Sequence, residues 1–153
     1  MVITSNDLAE KRRVNEYLKT YWEGIRRGRP FPAESEVDIK QLEPIWDSCF
    51  LVRKEDAGDQ PYNYLYLGSA LIAAYGDDMN EREVCERLIF PSNMSLVHRF
   101  DEVIERGMPV MEESEFTNTN DLLIRYRSVL LPLAKENGTI GFIIGGMRWK
   151  AFR

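Results

Sequence analysis

The stretch Tyr62-Asn63-Tyr64-Leu65-Tyr66-Leu67-Gly68-Ser69-Ala70-Leu71-Ile72-Ala73-Ala74-Tyr75-Gly76 changes rhythm in its middle. Before Gly68 the side chains alternate, as on a strand. After Ser69 the apolar positions Leu71, Ile72 and Tyr75 recur at helical spacing. The alternation reaches back to Cys49, through a first strand Cys49 to Lys54 and a second from Tyr62 to Gly68, joined across Asp56-Ala57-Gly58-Asp59. On the second strand Tyr62, Tyr64 and Tyr66 are expected on one face, and Asn63, Leu65 and Leu67 on the other.

Helical spacing continues forward to Gly107. Ser69 is placed to cap the first helix. Asn80 with Glu83 three residues later has the form of a capping box for a helix through Phe90. Pro91-Ser92-Asn93 opens another, ended by Gly107-Met108-Pro109. Strands return from Val110 to Thr117 and from Leu122 to Lys135, where the apolar alternation changes phase near Val129 and Pro132 implies a bulge or an edge position. Asn137-Gly138 is a two-residue hairpin signal. It leads into a strand with Ile140, Phe142 and Ile144 on one face and Ile143 on the other. Gly141, Gly145 and Gly146 leave room there for a close neighbour.

Upstream, Asp7 to Arg27 reads as a helix capped by Asn6 or Asp7 and stopped by Gly28. Val14, Leu18, Tyr21, Trp22 and Ile25 fall in a sector of roughly 100°, one apolar stripe. Either this helix packs back on the domain or two copies pair through the stripe. Arg29 to Glu36 is an extended connector, and Val37 to Trp46 a short helix with Leu42 and Ile45 inward. Residues 1–36 form a helix and connector, residues 37–153 the sheet-bearing part, and the whole is one folding unit.

In this order the elements resemble a PAS domain, and specifically a family of small, single-domain PAS-like bacterial proteins. The resemblance is carried by Tyr21-Trp22-Glu23-Gly24-Ile25-Arg26-Arg27-Gly28-Arg29-Pro30-Phe31-Pro32 and Phe50-Leu51-Val52. It continues through Tyr64-Leu65-Tyr66-Leu67-Gly68-Ser69-Ala70-Leu71 and Ala74-Tyr75-Gly76. Leu130-Leu131-Pro132-Leu133, Asn137-Gly138 and Ile143-Ile144-Gly145-Gly146 complete it. It spans nearly the whole chain from Val14. It implies an α+β fold: a five-stranded antiparallel sheet with helices on one face and an N-terminal helical extension. It also implies a sensory, regulatory role in signal transduction.

The chain departs from the family's cofactor-binding members. Flavin photoreceptors set a cysteine within Asn-Cys-Arg-Phe, whereas here the context is Val84-Cys85-Glu86-Arg87. Haem-binding members use a histidine on the long helix before the third strand. His98 lies on that helix but projects about 150° from the stripe of Leu96, Val97, Phe100, Val103 and Ile104. It is read as a solvent-facing histidine, and Cys85 as an inward-facing core residue or a thiol sensor. No cofactor is expected.

Composition narrows the function classes. The chain has 153 residues, 20 Lys and Arg against 25 Asp and Glu, and a net charge of -5, which argues against nucleic acid. Two cysteines and one histidine do not make a metal site. The absence of a signal peptide or a long apolar run reads as cytoplasmic, with no membrane partner. The carboxylates Asp77, Asp78, Glu81, Glu83 and Glu86, then Glu112, Glu113 and Glu115, are read as solvated faces. With no nucleophile motif or phosphate loop, no catalytic residue is expected.

The candidate ligand cavity lies between the sheet and the helical middle, lined by Leu65, Leu67, Leu71, Tyr75, Cys85, Leu88, Phe100, Ile124, Tyr126 and Ile143. These residues also read as a close-packed core, since core and pocket share a composition. The leading expectation is a non-enzymatic regulatory domain that forms a homodimer through Val14, Leu18, Tyr21, Trp22 and Ile25 and contacts a regulatory protein. The alternative is a receptor for a metabolite or signalling nucleotide.

Overall fold

The computed structural model describes residues 13–56, 61–76 and 94–153, with the side chains of 94–98 excepted. Five strands, β1 (Cys49–Lys54), β2 (Tyr62–Leu67), β3 (Val110–Thr117), β4 (Leu123–Ala134) and β5 (Ile140–Phe152), form one sheet in the order β2-β1-β5-β4-β3. Every neighbouring pair is antiparallel. The described helices are α1 (Val14–Arg26), α2 (Ser69–Tyr75) and α3 (Met94–Arg106), and a 3-10 segment runs over Ile39–Ser48. The expected caps Asn6 and Asp7, and the expected helix from Asn80 to Phe90, lie outside the described residues.

The sheet is buried on both faces over most of its length. The inner face carries Phe50, Val52, Tyr62, Leu67, Ile124, Tyr126, Leu130 and Ile143 against Leu71, Ala74 and Tyr75 of α2 and Phe100 and Val103 of α3. The outer face carries Val129, Leu131, Leu133 and Ile144 against Val14, Leu18 and Trp22 of α1 and Leu42 and Ile45 of the 3-10 segment. The alternation of β4 therefore never changes phase. Ile124, Tyr126 and Leu130 stay inward, while the outward set turns from Arg125 and Arg127 to Val129, Leu131 and Leu133 where α1 begins to cover it.

A glycine of β5 sets how closely α1 approaches the sheet. A β-carbon on Gly146 would lie 3.1 Å from Val14 Cγ1 and 3.2 Å from Leu18 Cδ2, so a glycine there lets α1 sit down on the sheet. Pro132 stands where β4 has outrun β3, whose pairing ends at Val110 opposite Leu130. That stretch of β4 is locally an edge, which a proline tolerates. The Pro132 carbonyl accepts a hydrogen bond from buried Trp22 Nε1 at 2.8 Å, tying α1 to the edge.

Two local expectations are corrected. Leu51 pairs with Tyr66 and Val52 with Tyr64, leaving Leu65 unpaired in a bulge. An extra residue reverses the facing of everything beyond it. Tyr62 and Tyr64 pack inward with Leu67, whereas Tyr66 turns outward and stacks on Trp46 at 4.2 Å. The β4–β5 hairpin is also longer than two residues. Lys135 N donates to Thr139 O at 2.7 Å around Glu136, Asn137 and Gly138, with Gly138 at φ 87°. Asn137 serves by accepting from Thr139 N and Oγ1 at 3.1 and 2.7 Å, and Gly138 supplies the left-handed position.

Candidate ligand-binding wall on the inner face of the sheet

The inner face is built from aromatic rings in two groups. Tyr62 meets Phe100 edge-on with centroids 5.2 Å apart, and Phe50 meets Tyr64 at 5.9 Å. On the other side Tyr75 stacks on Phe116 at 4.6 Å, and Phe116 meets Tyr126 at 6.0 Å. Such pairs add directional preference to plain burial.

Helix α2, only seven residues long, is held from outside itself. Trp149 Nε1 donates to Ala70 O at 2.9 Å. At the far end the β3–β4 turn reaches across, with Asn118 Nδ2 donating to Ala74 O at 3.1 Å and Thr119 Oγ1 to Tyr75 O at 3.0 Å. Asn118 Oδ1 accepts from the backbone of Asn120 and Leu122, which closes the turn. Leu71 and Tyr75 are positioned by these bonds.

A polar band crosses the apolar wall. Register places Glu112 opposite Ser128 and Ser128 opposite Met147, a single row across β3, β4 and β5. The next row is Ser114, Tyr126 and Trp149. Glu112 is 6% exposed and Ser128 1%. The Ser128 hydroxyl makes no hydrogen bond. Arg99 of α3 pairs with Glu102 at 2.7 Å and also feels the charge of Glu112. Burial first, and then the Glu112 charge, push the Tyr126 phenol up to about 12, while a hydrogen bond with Ser114 and the Arg99 charge act the other way. Tyr62 is also raised, by burial first and then by its hydrogen bond to the Asp101 carboxylate.

Of the residues expected to line a cavity, Leu67, Leu71, Tyr75, Phe100, Ile124, Tyr126 and Ile143 come together in this wall. Leu65 does not. It is 45% exposed because it is the bulged residue of β2. Cys85 and Leu88, and the side chain of His98, lie outside the described residues. Glu112, grouped by composition with Glu113 and Glu115 on an exposed face, is instead buried. The available signal was the two-residue period itself, since Glu112 and Glu113 are neighbours on a strand and must face opposite ways. Glu113 and Glu115 do face out, paired with Arg127 at 3.2 Å and Arg125 at 3.1 Å.

The apolar stripe of α1 is likewise used within the chain. Val14, Leu18 and Trp22 are 0–2% exposed against the outer face of the sheet, so they present no surface to a second copy. Tyr21 accepts a hydrogen bond from Asp38 N at 2.6 Å, and Ile25 is half-buried. The driving force is the same burial expected of a dimer, satisfied by the chain's own strands. Cys49 is also buried, its Sγ donating to Ile45 O at 3.3 Å, and burial ahead of the Asp47 charge pushes its thiol well up.

Where α1 stops covering the sheet, the outer face becomes charged. Glu113, Arg127 and Arg148 form one row across β3, β4 and β5, and Glu115, Arg125 and Lys150 the next. With Phe152, which Arg125 overlies at 5.3 Å, these line a groove of about 810 Å³. No group of three or more His, Cys, Asp or Glu able to hold a metal occurs among the described residues. Nor is any described helix long and apolar enough to cross a membrane.

The strand order, the long helix before β3 and the sequence converge on one family. A profile of the PAS domain matches residues 10–148. The chain belongs to the PAS domain family. Solved structures similar to this PAS domain include a light-oxygen-voltage domain studied with a flavin analogue (TM-score 0.53, 13% identity, covering 75% of this chain and 84% of that one). The dark structure of the blue-light photoreceptor Aureochrome1 LOV is similar at TM-score 0.51 and 11% identity over 75% and 82% of the two chains. The light-state dimer of the fungal blue-light photoreceptor Vivid matches at TM-score 0.51 and 17% identity over 84% and 91%. At these identities the likeness is one of fold. No curated protein matches the sequence.

Proposed function

We propose that this PAS domain is a non-enzymatic sensory module that receives a small molecule against the inner face of its sheet. The observation that carries the reading is the polar band in an otherwise apolar, aromatic wall, with Glu112 and Ser128 both more than nine-tenths buried. A core built for packing alone gains nothing from a buried carboxylate, which costs free energy to desolvate. Apolar walls with a few placed polar groups are the composition of a ligand site. Residues 13–36 share the outer core with the sheet, which supports reading 1–36 and 37–153 as one folding unit. Native mass spectrometry of the protein as purified tests the reading: a bound mass that denaturation releases supports it. Absence of any bound mass, together with no thermal shift across a metabolite panel, overturns it.

A second component of the reading is the output, a contact with a regulatory protein or a second copy of the chain. With the α1 stripe buried, the surface that favours a homodimer is the charged part of the outer face. Each of its rows carries one carboxylate and two cations, on a chain whose net charge is -5. A mixed-sign patch is self-complementary about a two-fold axis, so Glu115 of one copy would meet Lys150 of the other. Sedimentation at low and high salt tests this, with Lys150→Glu expected to give a monomer. An unchanged mass for that variant removes this surface from the assignment.

A further inference from the structure

We infer that Glu112 and Ser128 are the anchor of the ligand and that they select a molecule presenting hydrogen-bond donors, such as an amine or an amino-substituted heterocycle. The inference rests on the ligand reading above and gives it a chemistry. Directly opposed side chains on neighbouring strands have β-carbons about 5 Å apart, so the carboxylate and the hydroxyl converge on one small group. An ionised carboxylate only accepts hydrogen bonds, and a serine hydroxyl both accepts and donates. Ser128 Oγ is 1% exposed and makes no hydrogen bond, which is the state of a group whose partner arrives from elsewhere.

The surroundings set the sign of the selection. From α3, Arg99 feels the charge of Glu112 and pairs with Glu102 at 2.7 Å, and Glu102 also reaches Arg106 at 3.3 Å. The row of Glu112, Ser128 and Met147 itself carries one carboxylate and no cationic side chain. Met147 and Trp149 from β5, and Ser114 and Tyr126 in the adjoining row, bring no positive charge. A phosphate or carboxylate headgroup is repelled at this row, whereas an N–H donor or a cationic amine is held. One step along β4, Tyr126 belongs to the aromatic group with Phe116 and Tyr75, which offers a ring face to a planar molecule whose donor edge is on Glu112.

The test combines identification with selectivity. The mass released from the purified protein is identified. Thermal shifts are then measured with adenine, cytosine, benzamidine and tyramine, with benzoate and phenyl phosphate as anionic counterparts and indole as an apolar control. Donor-bearing compounds are expected to raise the midpoint and the anionic pair to leave it unchanged. Glu112→Gln and Ser128→Ala are each expected to weaken donor binding by about tenfold, the scale of one lost charge-assisted hydrogen bond. Circular dichroism checks that each variant is folded. Ser128→Ala removes only an oxygen, so it carries the test if Glu112→Gln does not fold. A released or added ligand that binds both folded variants as it binds the parent overturns the anchor while leaving the receptor reading intact. Preference for the anionic pair overturns the donor selection. Failure of every compound, with no released mass, overturns the receptor reading itself.

Discussion

A β-carbon on Gly145 would lie 2.1 Å from Cζ of Phe50, so the Phe50 ring occupies the space that any larger residue at 145 would claim. The two are cross-strand partners on β1 and β5, and Phe50 is 3% exposed in the inner core. The ring lies flat over the glycine and reaches Tyr64 and Phe100. Gly145→Ala should therefore destabilise the domain by roughly 1–3 kcal/mol through overpacking. Urea denaturation reads this, and Phe50→Leu in the same chain should recover part of the loss. Purely additive losses would show that the two side chains do not compete for one space.

Leu18 and Trp22 hold α1 to the outer face. Leu18→Asp puts a charge at a position 0% exposed and should unfold the domain rather than yield a folded monomer. Trp22→Phe keeps an aromatic ring but loses the indole N–H that donates to the Pro132 carbonyl, at a cost of about 1–3 kcal/mol. Circular dichroism and sedimentation of the Leu18 variant decide the matter. A native spectrum at half the parent mass would return the stripe to a dimer interface.

The β2 bulge predicts opposite outcomes at adjacent residues. Leu65→Lys should change stability by no more than about 0.5 kcal/mol, because the side chain is 45% exposed. Tyr66→Ala should cost about 2–3 kcal/mol, since it removes a ring stacked at 4.2 Å on Trp46 and a hydroxyl donating to Trp46 O at 2.8 Å. Equal responses in thermal denaturation would contradict the register.

Alkaline pH should act through Tyr126. Its phenol rises from 10.0 to about 12 on folding, so the folded state favours the protonated form. That contribution is fully present below pH 10.0 and is lost as pH climbs through about 12. Tyr62 is displaced in the same direction. Denaturation midpoints measured across this range should fall, and Tyr126→Phe should flatten the fall. Tyrosinate absorbance should show phenols ionising late. An unchanged slope in the variant would assign the alkaline loss elsewhere.

Much of this was legible in the chain. The bounds of β1 and β3 follow from alternation, and those of β2 and β4 to within a residue at either end. Seven of the expected wall residues meet as the inner apolar set. Alternation states that neighbours face opposite ways, but not which side is covered or where an extra residue resets the count. Alternation puts Leu65 with Leu67 on the inside, because a bulge leaves no mark in Tyr-Leu-Tyr. Glu112 reads as exposed when grouped with Glu113 and Glu115, and the two-residue period puts it on the opposite, buried face.

The sequence by itself determined the order of elements, the family and the apolar faces. Local spacing encodes those, and the rhythm change at Gly68 sits where strand becomes helix. Tertiary structure alone decided that α1 covers its own sheet, through Gly146 beneath Val14 and Leu18. It also decided that a carboxylate and a hydroxyl share one buried row. Both depend on contacts between residues far apart in the chain, and a residue's spacing from its neighbours carries no record of what will be laid against it.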